Sequence, residues 1–227
     1  MEFSQHDFYY LHLRFSCCDV KMSCVKKTSC WALHVFLWCE LTFYIQALPE
    51  GTYGKIVFFE DKNFQGRSYE CSTDCPDLRS YFSHCNSVKV ESGCWVLYEL
   101  TNYTGYQYIL SPGEYPDHQQ WMGFNDSIKS CRCIKNVYGK SWKIRFYEKQ
   151  DFGGQAVECV EDCPSIYEAF KFREFYSCVV MDGAWVLYEQ PNYHGHQYFL
   201  ERGEYPSYTD WGATSPAVGS FRMIKEF

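Results

Sequence analysis

An all-β chain made of two similar halves is the fold class this sequence predicts, and three observations predict it. A pattern of aromatic, Glu, three residues, aromatic, any residue, Gly occurs four times: "FEDKNFQG" at 59–66, "YELTNYTG" at 98–105, "YEKQDFGG" at 147–154 and "YEQPNYHG" at 188–195. Each copy is entered through a short run rich in β-branched and aromatic residues, "KIVFF", "WVLY", "WKIRFY" and "WVLY". No 12-residue stretch of 54–227 carries a clean helical period.

Taken in order, residues 54–92 open with a strand whose apolar side chains alternate, Ile56 then Phe58, followed by the turn "DKNFQG" and the stretch "RSYECSTDCPDL". Residues 93–135 open with "CWVLYE" and carry "GEYPDHQQW". A linker follows at 136–141. Residues 142–182 repeat the first unit, with Ile144 and Phe146 alternating and "QAVECVEDCPSI" answering the earlier stretch; residues 183–225 repeat the second, with "AWVLYE" and "GEYPSYTDW". The tryptophans keep step: Trp121 is 26 residues after Trp95, and Trp211 is 26 after Trp185. Alternate units are thus more alike than neighbours, which makes a duplicated pair of motifs and two domains of roughly 85 residues, a size that buries enough surface to fold alone.

Two positions in each copy have a predictable task. The glycines Gly66, Gly105, Gly154 and Gly195 end a turn in which the preceding aromatic folds back over its hairpin, so the backbone there needs positive φ or an approach that a Cβ would block. Between 21 and 25 residues beyond each lies a serine in a strand-like context, Ser87, Ser130, Ser177 and Ser220. A buried hydroxyl at that place would satisfy backbone groups of the folded hairpin.

Bulk properties narrow the function classes. Aromatics form 20% of the chain with moderate Gly and Pro, which excludes low-complexity or disordered material. The formal charge is −7 with no basic stripe, which argues against a nucleic-acid partner. Of 14 cysteines, five lie in the first 50 residues. The other nine, Cys71, Cys75, Cys85, Cys94, Cys131, Cys133, Cys159, Cys163 and Cys178, sit among core-like aromatics and read as reduced, small hydrophobes of a cytosolic protein.

With the four hairpin patterns, the four serines, "CNSVKVESGCWVLYE", "GEYPDHQQWMGFNDSIKSCR" and "EDCPSIYEAF…REFYSC" in view, residues 54–227 resemble the vertebrate γ-crystallins, of the γS type, in the βγ-crystallin family. The resemblance implies two β-sandwich domains, each of two Greek-key motifs. It implies a monomer whose domains pair through a small apolar patch, here Val96, Ile109 and Ile134 facing Val186, Phe199 and Ile224. A few hundred Å² of such contact would contribute several kcal/mol at roughly 25 cal/mol per Å². It implies a structural protein of the lens fibre-cell cytoplasm, giving refractive index and transparency at high concentration, with weak contacts to other crystallins, no cofactor, no nucleic acid and no membrane. Trp95, Trp121, Trp185 and Trp211, buried in the family, would absorb ultraviolet light.

Rival chemistry has thin support. Many βγ-crystallins resemble one another in a calcium window of two Asn/Asp residues, two variable residues, Ser or Thr, then the motif serine; "NDSIKS" is the best candidate, but beside Asn125, Asp126 and Ser130 the cation Lys129 fills the Ser/Thr place. A calcium-binding or secreted module is therefore the alternative reading. No G-x-S-x-G elbow, H-E-x-x-H helix, P-loop or dinucleotide fingerprint is present, so no catalytic residue is expected. His194 and His196 share a strand face that reads as solvated, with no evident third metal ligand. Cys71/Cys75 and Cys159/Cys163 have C-x₃-C spacing and read as packing, with a reversible disulfide between near neighbours as a second possibility.

Residues 1–53 stand outside the resemblance as an N-terminal extension. Their apolar run from Trp31 to Leu48 follows Lys26 and Lys27 as a signal-peptide core would, but His34 and Glu40 interrupt it. An export signal, a cytosolic extension and a stretch added by a mistaken start codon all stay open, and the cytosolic residence that the resemblance implies favours the last two.

Overall fold

In the computed structural model, residues 54–135 and 141–225 are described, so the expectations for residues 1–53 and for most of the linker lie outside the described residues. Fourteen strands follow in order: β1 (Lys55–Phe59), β2 (Ser68–Cys71), β3 (Ser87–Ser92), β4 (Cys94–Tyr98), β5 (Gln107–Leu110), β6 (Gly113–Tyr115), β7 (Ser130–Ile134), β8 (Lys143–Tyr147), β9 (Ala156–Cys159), β10 (Ser177–Asp182), β11 (Trp185–Gln190), β12 (His194–Leu200), β13 (Gly203–Tyr205) and β14 (Ser220–Met223). Among the described residues, helical backbone is limited to one five-residue helix, α1 (Ile166–Phe170), and three single 3₁₀ turns. The helix starts at Ser165, whose side chain accepts from the Glu168 amide, and stops at Lys171 in the left-handed region.

Each domain is a pair of facing antiparallel sheets. In the first, one sheet runs β2-β1-β3-β6; in the second, its counterpart runs β13-β10-β8-β9. Strand β6 belongs by sequence to the second unit yet pairs with β3 of the first, Val88 opposite Tyr115, and β13 does the same with β10, Cys178 opposite Tyr205. This exchange is what closes two consecutive motifs into one sandwich, and it makes the architecture Greek-key.

The strand sequences state which faces are buried. Along β1 and β8 burial alternates, with Ile56, Phe58, Ile144 and Phe146 fully inside. Along β4 every residue from Cys94 to Tyr98 is buried, as is Trp185–Tyr188 of β11. Those strands have no water face, because their second face meets the other domain. Between the sheets of the first domain pack Ile56, Phe58, Val88, Trp95, Leu97 and Tyr108, among others; in the second domain Ile144, Phe146, Phe175, Trp185, Leu187 and Phe221 do the same.

Candidate functional site

Four hairpin corners repeat one geometry. In each, two successive residues take left-handed backbone: Asn63 and Phe64, Asn102 and Tyr103, Asp151 and Phe152, Asn192 and Tyr193, with φ between 51° and 64°. Asn and Asp tolerate that region best, which is why they fill the first place. The glycines follow at φ of 78°, 80°, 76° and 84°. At Gly105 an added Cβ would also stand 2.9 Å from Leu100 Cγ. So turned, the second aromatic meets the first edge to face: Phe59–Phe64, Tyr98–Tyr103, Tyr147–Phe152 and Tyr188–Tyr193 have ring centroids 5.7, 5.7, 5.6 and 5.6 Å apart.

The four serines bind the corners. Each hydroxyl is fully buried, accepts the amide of the folded aromatic and donates to a carbonyl three residues earlier. Ser87 accepts from Phe64 N at 2.9 Å and donates to Asp61 O at 2.6 Å; Ser130 does so with Tyr103 N and Leu100 O at 3.0 and 2.6 Å. Ser177 repeats it with Phe152 and Lys149 at 3.0 and 2.6 Å, and Ser220 with Tyr193 and Gln190 at 2.9 and 2.7 Å. A strained, left-handed turn costs of order 1–3 kcal/mol per residue, and these bonds and ring contacts hold it in place.

Between the domains lies a third apolar cluster. Val96 and Ile134 meet Val186 and Ile224, with Cys94, Tyr98, Ala184 and Tyr188 beside them and Ile109 and Phe199 packed against the edge. Two glutamines that the sequence reading passed over complete it. Gln107 opposes Gln197 across β5 and β12, joining the second sheets of the two domains into one of six strands, β14-β11-β12-β5-β4-β7. Their amides exchange symmetrically: Gln107 Oε1 accepts Phe199 N at 2.9 Å and Gln197 Oε1 accepts Ile109 N at 3.2 Å. Gln107 Nε2 donates to Trp211 O and Gln197 Nε2 to Trp121 O, both at 3.4 Å. Arg132 of β7 adds an ion pair to Glu201 at 3.5 Å.

Trp95 and Trp185 donate their indole N–H to Ser92 O and Asp182 O, each at 3.2 Å, and Trp121 and Trp211 are equally buried. The calcium window has its oxygens engaged by the protein: Asn125 Oδ1 accepts Ser127 N, Asp126 Oδ2 accepts Asn86 Nδ2, and Ser130 Oγ serves its corner. Among the described residues no cluster of three metal-ligand side chains forms.

The thiols pair differently from their spacing. Cys71 lies 3.9 Å from Cys131, whose S–H donates to it and pulls Cys71 down to about 7 while Cys131 is held well above the usual thiol range. Burial pushes Cys159 up to about 12, so the groove of about 520 Å³ beside it and Cys163 offers a poor nucleophile. His196 also departs from its expected place: rather than lying on a solvated face, its ring is half-buried, stacks on Tyr106 and meets Glu189. A register shift between Tyr188 and Gln190 accompanies that turn of the strand.

The Beta/Gamma crystallin family model matches residues 55–134 and 143–224. This chain belongs to the beta/gamma crystallin family. Its crystallin portion is 60% identical over 173 residues to gamma-crystallin M2 of Chiloscyllium indicum, covering 76% of this chain and 98% of that protein. Gamma-crystallin S-1 of the same species is 59% identical over 76% of this chain and 99% of its own length. For gamma-crystallin B of Mus musculus the identity is 58%, with 77% and 99% covered. These crystallins differ from this one in about four positions in ten across nearly their whole length, so the kinship spans both domains and the join between them. No helix of the described residues is long and apolar enough to cross a membrane.

Proposed function

We propose that this crystallin is a structural protein of the eye lens, not an enzyme, working by bulk optical and colloidal properties. The observation that carries this is its near-full-length kinship to proteins named gamma-crystallin, at 58% to 60% identity. Composition supports it: with aromatics at 20% of residues, polarisable rings raise refractivity per gram, and a net charge of −7 discourages the attraction that builds large scatterers. Each folded corner and the paired domains serve slow unfolding, which matters most for a protein that is not replaced.

In this reading the motifs at 54–92, 93–135, 142–182 and 183–225 are the structural units, 136–141 is the joint, and the chain works as a monomer in the fibre-cell cytoplasm with weak contacts to other crystallins. Intact-mass measurement of the soluble lens fraction against other tissues tests this. Abundance in lens is the expected result, and a mass starting near residues 51–54 or at Met1 decides the status of 1–53. Scarcity in lens together with a processed form outside cells would overturn the reading.

A further inference from the structure

We propose that Ser111 is a phosphorylation site: its phosphate takes the place that Glu201 holds in the duplicated half and pairs with Arg222 across the join, tightening the two domains.

The repeat supplies the template. "YILSPGEYP" at 108–116 aligns with "YFLERGEYP" at 198–206, so Ser111 and Glu201 are equivalent, and Arg132 and Arg222 each stand two residues after a corner serine. The local geometry matches as well. Leu110 opposes Trp95 as Leu200 opposes Trp185, and Arg132 opposes Val96 as Arg222 opposes Val186. Tyr115 donates its hydroxyl to Ser111 O at 2.9 Å, and Tyr205 donates to Glu201 O at 2.9 Å. On one side of the join the circuit is closed, with Arg132 lying 3.5 Å from Glu201. On the other it is open: Arg222 lies over the Tyr188 ring at 5.6 Å and makes no ion pair among the described residues. Burial raises the Tyr115 and Tyr205 hydroxyls, and the charge of an arginine from the other domain reaches each, Arg222 at Tyr115 and Arg132 at Tyr205. Arg222 therefore stands toward Ser111 as Arg132 stands toward Glu201.

Ser111 is also fit to accept the group. It lies between β5 and β6, is exposed together with Pro112, Gly113 and Glu114, and its oxygen receives the weak S–H of Cys94 at 3.8 Å. Pro112 follows it, and a proline, with its fixed φ and no amide hydrogen, is what proline-directed kinases select after their acceptor. The other Ser-Pro pair, Ser215 and Pro216, is half-buried, and the Ser215 hydroxyl accepts the Ala217 amide at 3.3 Å. In the transfer, a bond from Ser111 Oγ to the γ-phosphorus of ATP forms as the bond from that phosphorus to the ADP oxygen breaks, and the hydroxyl proton passes to the general base of the kinase. A phosphate brings a charge of about −2 where a carboxylate brings one, and an arginine takes it through two parallel hydrogen bonds. The carboxylate nearest in sequence, Glu114, is tied to Lys89 at 2.8 Å.

The full chain is to be incubated with an active proline-directed protein kinase and Mg-ATP, the phosphate mapped by fragment mass, and unfolding in urea followed by tryptophan fluorescence. One phosphate on Ser111 is expected, and the first unfolding phase should slow about fivefold, the size of one partly exposed charge pair. Ser111→Ala should take no phosphate in that loop, and Arg222→Gln should still take it but lose the slowing. Ser111→Glu, which copies the other half of the repeat, should slow the same phase without any kinase, and should fail to do so when combined with Arg222→Gln. The reaction with purified protein does not depend on where the chain resides, so its failure would leave the lens function untouched. A chain left unmodified at Ser111, phosphate confined to Ser215, phosphate on Ser111 that leaves the rate unchanged, or slowing that survives Arg222→Gln would overturn the proposal.

Discussion

At the scale of single residues, four buried serine hydroxyls bind the hairpin corners. Ser220 is fully buried and its one oxygen serves both Tyr193 N and Gln190 O. Ser220→Ala leaves both groups buried without a partner, and the second domain is expected to lose about 1–3 kcal/mol, read as a lower urea midpoint; an unchanged midpoint would show that the corner does not need its serine. Cys71 carries the opposite kind of information. The hydrogen bond it accepts from the Cys131 thiol holds it below the usual thiol range. Its alkylation rate should rise with pH at a midpoint below that of an ordinary thiol, and Cys131→Ala should move the midpoint upward. With its oxygens committed, the window ending at Ser130 should show no micromolar calcium binding by titration calorimetry.

At the scale of elements, the first hairpin is tied by Arg67 to Glu60 at 2.7 Å, and Arg67 first, then the Ser83 amide, hold the Glu60 carboxyl down to about 2. A carboxyl lowered in the folded state adds stability above its unfolded range near 4.3, lost as pH falls toward about 2. The difference in urea midpoint between the parent and Glu60→Gln should therefore shrink as pH is lowered from 5 to 2.5. The hairpins were legible in the sequence because their signal is local, an aromatic and a glycine at fixed spacing. So was the difference between alternating β1 and uninterrupted β4, since a strand buried on both faces has no polar positions to show. Gln107 and Gln197 were not legible: the repeat displays them at equivalent places, but a polar residue in a strand does not say which domain its amide reaches. The Cys71–Cys131 contact escaped for a related reason. Its partners lie 60 residues apart, and spacing arguments favour neighbours such as Cys75.

At the scale of the whole molecule, the two domains share one apolar cluster. Phe199 packs at the edge of the interdomain cluster and its amide donates to Gln107 Oε1. Phe199→Ala is expected to weaken pairing by about 1–3 kcal/mol and to separate the unfolding of the two domains into distinct steps; unchanged midpoints and cooperativity would show that the domains do not rely on one another. The continuous six-stranded sheet has one more effect. Strands β5 and β12 each lie at the margin of their own domain's sheet, and they pair with each other at Gln107 and Gln197. Should the domains part while both stay folded, two strands with unpaired amides and carbonyls would face solvent at once. Each is a template for the other, so parting the domains would bare at once the two edges that the glutamine bridge now holds together.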